Sequence, residues 1–298
     1  MNLTPPHPLL YRPLIENALR EDLGHGDVTT SALVPEHLRG LGLLRAKQDL
    51  ILCGVRVAEE VFRLVDSELA FIPLRNDGEA LRRGEVVAEV RGRISSILKG
   101  ERVALNFLQH LCGVASHTRK FVEKVRDLPV KIIDTRKTLP GFRVLEKYAV
   151  LCGGGANHRF GLSDGVLIKD NHIKACGSVK EALKRAREKI PHVYRLEIEV
   201  KTLEELEEAL EAGAEAILLD NMAPEVLKEA VRIARQKDPG VLLEASGGIS
   251  LENVREVAET GVDLISIGRL THSAPAADLN LKIVSVLTEN IEEDFESR

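Results

Sequence analysis

Tryptophan is absent from these 298 residues, and aromatic side chains make up only 3% of them. A chain so poor in rings offers no stacking array for single-stranded nucleic acid. It has no basic tail either. Its 41 Lys and Arg stand against 46 Asp and Glu, for a formal net charge of −5. No nucleic-acid partner is therefore expected. Cysteine is scarce: Cys53, Cys112, Cys152 and Cys176 are scattered and form no C-x-x-C pair. They read as inert thiols of a reducing cytosol, not as a disulfide frame. The nine histidines show no H-x-x-x-H spacing, which argues against a structural zinc site. No run approaches the roughly 18 apolar residues of a membrane span, and the N-terminus lacks an apolar signal core. A cytoplasmic protein without a membrane partner is expected. Two nucleotide-loop patterns are missing as well: G-x-x-x-x-G-K-[ST] and the dinucleotide fingerprint G-x-G-x-x-G.

What is present suffices for a real core, with 44% hydrophobic and 29% charged residues. Residues 8–22 carry Leu10, Leu14, Ile15, Ala18 and Leu19 at helical spacing. A Gly-, Asp- and Thr-rich loop over 21–35 follows. Strand character over 41–54, an amphipathic helix over 54–66, short strands with Gly turns over 78–98 and a long helix over about 98–126 complete the first third. After it, six short apolar runs alternate with helical segments: VKIIDTR, GVLIKDN, YRLEIEV, EAILLDN, VLLEASGG and DLISIGR. Each suits a strand buried on both faces. Ser178 with Glu181 and Thr202 with Glu205 have capping-box spacing, and Pro224 suits a first helical turn. The repeat predicts a parallel sheet, closed or nearly closed into a barrel, with an open doubly wound sheet as the competing architecture. The segment LNLKIVSVLTENIEEDF reads as a final helix packing back on the first domain.

The polar residues gather where the apolar runs end. The runs lead into Thr135-Arg136-Lys137, Lys169, Glu197 with Glu199, Asp220, Glu244-Ala245-Ser246-Gly247-Gly248 and Ser266-Ile267-Gly268, while His158-Arg159 follows a Gly-rich stretch. Strand C-termini form the rim on which parallel barrels carry their chemistry. Arg136, Arg159 and Lys169 suit carboxylates, the arginines through a bidentate fork, and His158 adds a donor. Glu199 and Asp220 suit ribose hydroxyls or Mg2+ bearing phosphate oxygens. The glycines at the last two strand ends offer backbone N–H groups where barrels hold a phosphate monoester. The ligand expected is a small molecule with several negative charges.

Eight segments together resemble the quinolinate phosphoribosyltransferase family: EDLGHGDVTT (21–30), ERVALNFLQHLCGVAS (101–116), DTRKTLPGFR (134–143), GGGANHRFGLSDGVLIKDNH (153–172), EIEV (197–200), LLDN (218–221), EASGGI (244–249) and ISIG (265–268). The resemblance covers nearly the whole chain. It implies an α/β fold, with an N-terminal α/β sandwich over 1–112 and 275–298 and an incomplete parallel α/β barrel of the type II phosphoribosyltransferase kind over 113–274. The implied reaction joins quinolinate to phosphoribosyl pyrophosphate with Mg2+, releasing pyrophosphate and CO2 and giving nicotinate mononucleotide for NAD biosynthesis. The implied assembly is a homodimer or hexamer sharing its active sites. Arg136, Arg159 and Lys169 match quinolinate-binding positions, with His158 nearby and Thr135 and Lys137 on the same strand end. Arg102 matches an arginine lent by a neighbouring subunit. Glu199 and Asp220 match the acidic pair near ribose and metal, with Glu199 preferred to Glu197 by its spacing to Asp220. Ser246, Gly247, Gly248, Ile267 and Gly268 match the phosphate region. Glu199, Asp220 and Lys137 are the expected catalytic groups. A pyrophosphorylase-like enzyme with another acceptor, such as nicotinate, and a catalytically silent anion-binding barrel are the rival readings.

Overall fold

Alternation of apolar and polar residues builds the first unit in the computed structural model, which describes residues 3–287. Among the described residues the unit comprises 3–117, Leu139–Gly154 and 274–287. A 3-10 turn at Pro8–Leu10 leads into α1 (Arg12–Leu23), α2 (Val28–Leu33), β1 (Arg39–Ala46), β2 (Leu50–Ile51), α3 (Val55–Val65), β3 (Ala70–Pro73), β4 (Ala80–Leu81), β5 (Val86–Arg93) and α4 (Ile94–Lys124). The expected loop over 21–35 thus contains a short helix. Asp27 starts it by accepting from the Thr30 N–H at 2.9 Å and from the Thr30 hydroxyl. The long helix begins at Ile94, because the ISSIL stretch read as strand is already helical.

The second unit, Thr118–Thr138 and Gly155–Ser273, is the strand–helix repeat. After the last turns of α4 comes β6 (Lys131–Ile133). Next in the chain is α5 (Arg143–Cys152), which clusters with the first unit and so interrupts the stretch 113–274. Then follow β7 (Val166–Ile168), α6 (Asp170–Cys176), α7 (Val179–Lys189), β8 (Leu196–Val200), α8 (Leu203–Glu211), β9 (Ala216–Asp220), α9 (Pro224–Lys237), β10 (Leu242–Ser246), α10 (Val254–Ala258), β11 (Leu264–Ser266) and α11 (Arg269–His272). The caps sit where the spacing places them: Ser178 accepts from the Glu181 N–H, Thr202 from the Glu205 N–H, and Pro224 opens α9.

Strand order decides between the two expected architectures. The six-stranded sheet runs β6-β11-β10-β9-β8-β7, every pair parallel. A doubly wound sheet reverses direction beside its first strand. Here β7 to β11 advance one way, and the first strand, β6, lies beyond the last. Such an order belongs to a curling, barrel-type sheet. β6 and β7 are the two ends of the order, so the barrel is incomplete. A parallel bridge from Ala156 to Ile133 covers the other side of β6.

Finally, β12 (Leu279–Leu287) corrects the expected C-terminal helix. Its Leu279, Leu281 and Ile283 alternate with Asn280, Lys282 and Val284, a period of two that suits a strand. It pairs antiparallel with β1 in the first unit's sheet, ordered β12-β1-β5-β3, beside the two-stranded β2-β4. The remainder of that expected helix, 288–298, lies outside the described residues. No helix among the described residues is long and apolar enough to cross a membrane.

Candidate active site

The second unit contains a cavity of about 340 Å3 at the C-terminal ends of its strands. Thr135, Arg136, Lys137, His158, Arg159, Lys169, Glu199, Asp220 and Ser246 line it, nine side chains that the sequence singled out. They reach one place because every parallel strand ends on the same rim. Leu167, Leu218, Glu244 and Ser266 complete the lining.

Hydrogen bonds hold the cationic segments in place. Asp134 is fully buried at the end of β6. Its backbone N–H donates to the Ala156 carbonyl at 3.1 Å, and its Oδ1 accepts from the His158 N–H at 2.9 Å. The two loops carrying Arg136 and His158-Arg159 are thereby tied to each other. Thr135 Oγ1 accepts from the Lys137 N–H at 3.0 Å, while the Thr271 hydroxyl donates to the Lys137 carbonyl at 2.7 Å. Arg159 donates to the Gly165 carbonyl at 2.9 Å, and its stem packs where a Gly165 side chain would stand. Burial and then the nearby Arg136 cation lower the Arg159 pKa. Glu197 and Asp164 offset part of that charge, and an anion between the two guanidinium groups would be favoured further.

The acids sit opposite. Glu199 is buried on β8, and its Oε2 accepts from Lys169 Nζ at 3.0 Å. Asp220 ends β9, and its Oδ1 accepts from Asn221 Nδ2 at 2.9 Å. Asn221 has φ 55°, the one left-handed non-glycine backbone among the described residues. Its N–H donates to the Ser246 carbonyl at 2.8 Å, and its side chain occupies the space of a Gly247 Cβ, as close as 2.2 Å. With φ 94° and no room for a side chain, position 247 requires glycine.

The remaining expected residues are placed differently. Gly247, Gly248, Ile267 and Gly268 are not among the lining residues. The Ile267 N–H donates to the Ile133 carbonyl at 3.0 Å, so the sheet already uses that amide. Gly268 lets the Lys137 chain approach, since a Cβ there would lie 2.8 Å from Lys137 Cδ. Arg102 is exposed on α4 in the first unit. The Gly153-Gly154 run ends α5 and forms no nucleotide loop.

A family model described as the C-terminal domain of quinolinate phosphoribosyl transferase matches residues 114–282, and one for the N-terminal domain matches 27–112. The chain belongs to the quinolinate phosphoribosyltransferase family. It is 43% identical over 285 residues to a Bacillus subtilis (strain 168) protein named probable nicotinate-nucleotide pyrophosphorylase (carboxylating), across 96% of this chain and 97% of that one. An Arabidopsis thaliana protein named nicotinate-nucleotide pyrophosphorylase (carboxylating), chloroplastic, is 40% identical over 301 residues, 95% of this chain and 86% of its own. The crystal structure of NadC from Streptococcus pyogenes superposes with a TM-score of 0.91 at 41% identity, covering 96% of this chain and all of that one.

Within this family member, the sequence placed Glu197 and Glu244 at strand ends on the rim but gave neither a role in the site. His158 Nε2 lies 3.0 Å from Glu197 Oε2 and 3.6 Å from Glu244 Oε2. A signal was available: side chains two apart on a strand share a face, so Glu197 goes with Glu199 and Glu244 with Ser246.

Proposed function

We propose that this chain transfers the phosphoribosyl group of phosphoribosyl pyrophosphate to quinolinate, giving nicotinate mononucleotide, pyrophosphate and CO2. The carrying observation is one cavity that gathers Arg136, Arg159, Lys169 and Lys137 with the acids Glu199 and Asp220. Three cations suit a dicarboxylate, and a pure anion binder gains nothing from acids on the same rim. Family membership and the names of its relatives support the same reaction.

Arg136, Arg159 and Lys169 would grip the two carboxylates and turn the pyridine nitrogen toward the anomeric carbon of the sugar. Positioning of this kind can supply roughly 7–11 kcal/mol of barrier reduction. The nitrogen's lone pair forms the new C–N bond as the bond to pyrophosphate breaks. Positive charge grows on the ribose, where Glu199 and Asp220 stabilise it electrostatically. Lys137 offsets charge on the departing pyrophosphate. The positive charge of the quaternised ring then stabilises the carbanion left on the adjacent carbon when its carboxylate departs as CO2, and a proton from solvent takes up that electron pair. No enzyme nucleophile is needed. The donors of Glu199 and Asp220 are hard carboxylate oxygens, which fit Mg2+ better than a soft metal. Bound there, Mg2+ would supply charge neutralisation for the phosphate oxygens. A neighbouring copy completes the site through Arg102 in this reading, and residence is cytoplasmic, in keeping with four free cysteines.

Pyrophosphate and CO2 release from quinolinate plus phosphoribosyl pyrophosphate, with nicotinate run beside it, tests the reaction. Release with quinolinate alone supports it; release with nicotinate alone would move the chain to the rival acceptor. Arg136→Ala should weaken quinolinate binding by about 2–5 kcal/mol, read by titration calorimetry. Unchanged affinity would remove Arg136 from the role.

A further inference from the structure

Beneath the cations, the barrel interior holds ionisable groups that the chemistry above leaves unused. His158, Glu197 on β8 and Glu244 on β10 each bring one potential ligand atom within 4.8 Å of the others. The trio resembles a cation site, but the histidine is turned the wrong way for one. Its Nδ1 accepts from the Arg159 backbone N–H at 2.6 Å, so the ring hydrogen sits on Nε2. An Nε2–H cannot ligate a metal. It donates to Glu197 Oε2 at 3.0 Å, the nearer of the two carboxylates.

Glu244 is left in an unusual position. It is 2% exposed, and neither of its carboxyl oxygens has a hydrogen-bond partner among the described residues. The groups around it are Glu197 from β8, Leu218 from β9, Ser266 from β11, and His158. The Ser266 hydroxyl is engaged with Ser246 Oγ at 2.9 Å, and the His158 hydrogen is engaged with Glu197. An ionised Glu244 would be a buried charge offset only by the Ser266 hydroxyl and by His158 at 3.6 Å, with a second carboxylate beside it, a cost of several kcal/mol.

We propose that Glu244 is a positioning residue that works as a neutral carboxylic acid, so that the floor beneath the cation pocket carries one negative charge, that of Glu197, instead of two. Burial first, and then the charge of Glu197, push the Glu244 pKa up to about 8. The consequence concerns the substrate and rests on the dicarboxylate reading above. Glu197 already supplies Arg159 with one half-buried counter-charge. A second would compete with the substrate's carboxylates for the same guanidinium groups. Dianion affinity is then highest while Glu244 holds its proton, and it falls as that proton leaves.

Two measurements on the full chain test this. Infrared difference spectra of the ligand-free protein between neutral and alkaline pH should show a carboxylic-acid carbonyl band that disappears on alkalinisation and is missing in Glu244→Gln. In parallel, KM for quinolinate should climb about tenfold per pH unit once pH passes about 8 in the native protein, and that climb should flatten in Glu244→Gln. A missing band in the native protein, or the same climb in the variant, overturns the proposal. Should the glutamine variant not fold, Glu244→Asp, which keeps an acid but shifts its carbonyl band, takes its place in the infrared arm. Absent turnover with quinolinate would count against the functional reading alone, because the infrared band does not depend on substrate.

Discussion

Asn221 stands next to Asp220 with a left-handed backbone, and its side-chain amide donates to the Asp220 carboxylate. A non-glycine residue in this conformation costs roughly 1–2 kcal/mol, least for asparagine. Two substitutions separate backbone from side chain. Asn221→Gly removes the amide and relieves the conformation, whereas Asn221→Ala removes the amide and keeps the strain. Both should lower kcat if the amide holds Asp220 toward the sugar, but only the alanine variant should melt earlier, by the equivalent of about 1 kcal/mol. Equal kcat to the native protein in both would show that Asp220 needs no such support. Glu244 makes a further residue-scale expectation, this time for stability. Its folded pKa, about 8, lies above that of an unfolded glutamate. The unfolded chain therefore releases this proton first as pH rises. The stability Glu244 contributes is full below the unfolded pKa and is lost by the time pH passes about 8. Denaturant melts of Glu244→Gln across that window should lack this fall.

Among the elements, α4 and the C-terminal segment meet at one unusually close contact within the first unit. A Cβ at Gly113 would lie 2.3 Å from the Pro275 carbonyl oxygen and 3.1 Å from Ala276 Cα, both backbone atoms with little freedom to move. The Ala277 N–H donates to the Gln109 carbonyl at 2.9 Å, and Gln109 Nε2 donates to the Leu279 carbonyl at 3.1 Å, so the segment is fastened twice to the helical turn before that glycine. In an exposed helix, Gly→Ala would gain about 1 kcal/mol. Here the clash wins: Gly113→Ala should destabilise by about 1–3 kcal/mol in thermal melts. The helices whose polar faces meet water, α7, α8 and α9, were legible in the sequence down to their caps. By contrast, α5 was not. Leu145 to Val150 are all buried, including Glu146 and Lys147, so no polar face announces a helix. Glu146 is instead fixed by His110 at 2.7 Å and by the Leu139 N–H at 3.1 Å, partners far enough along the chain that no local pattern reveals them. β12 was misread for another reason. Its two-residue alternation runs straight into an acidic segment that looks helical, and only pairing with β1 shows which pattern governs.

At the scale of the whole molecule, the cavity was legible because a parallel barrel places all its strand ends on one rim, and each end in this chain carries a marked residue. The acidic floor was hidden, since Glu197 and Glu244 meet only across the intervening strand β9, whose register no single strand encodes. Arg102 raises the same question between copies of the chain. It is exposed on α4, and it matches an arginine that the family resemblance assigns to a neighbour's site. If each site takes its barrel from one copy and Arg102 from another, then two inactive variants should repair each other. Arg102→Ala and Glu199→Gln proteins, each nearly inactive alone, would form mixed dimers in which one site receives both intact residues. Random reassortment in a symmetric dimer then restores about a quarter of native activity. The recovered rate should follow the mixing ratio and vanish when exchange between subunits is blocked. Activity that stays at the sum of the two separate proteins, with exchange verified by mass, would place Arg102 outside the shared site and leave each chain to work with its own cavity.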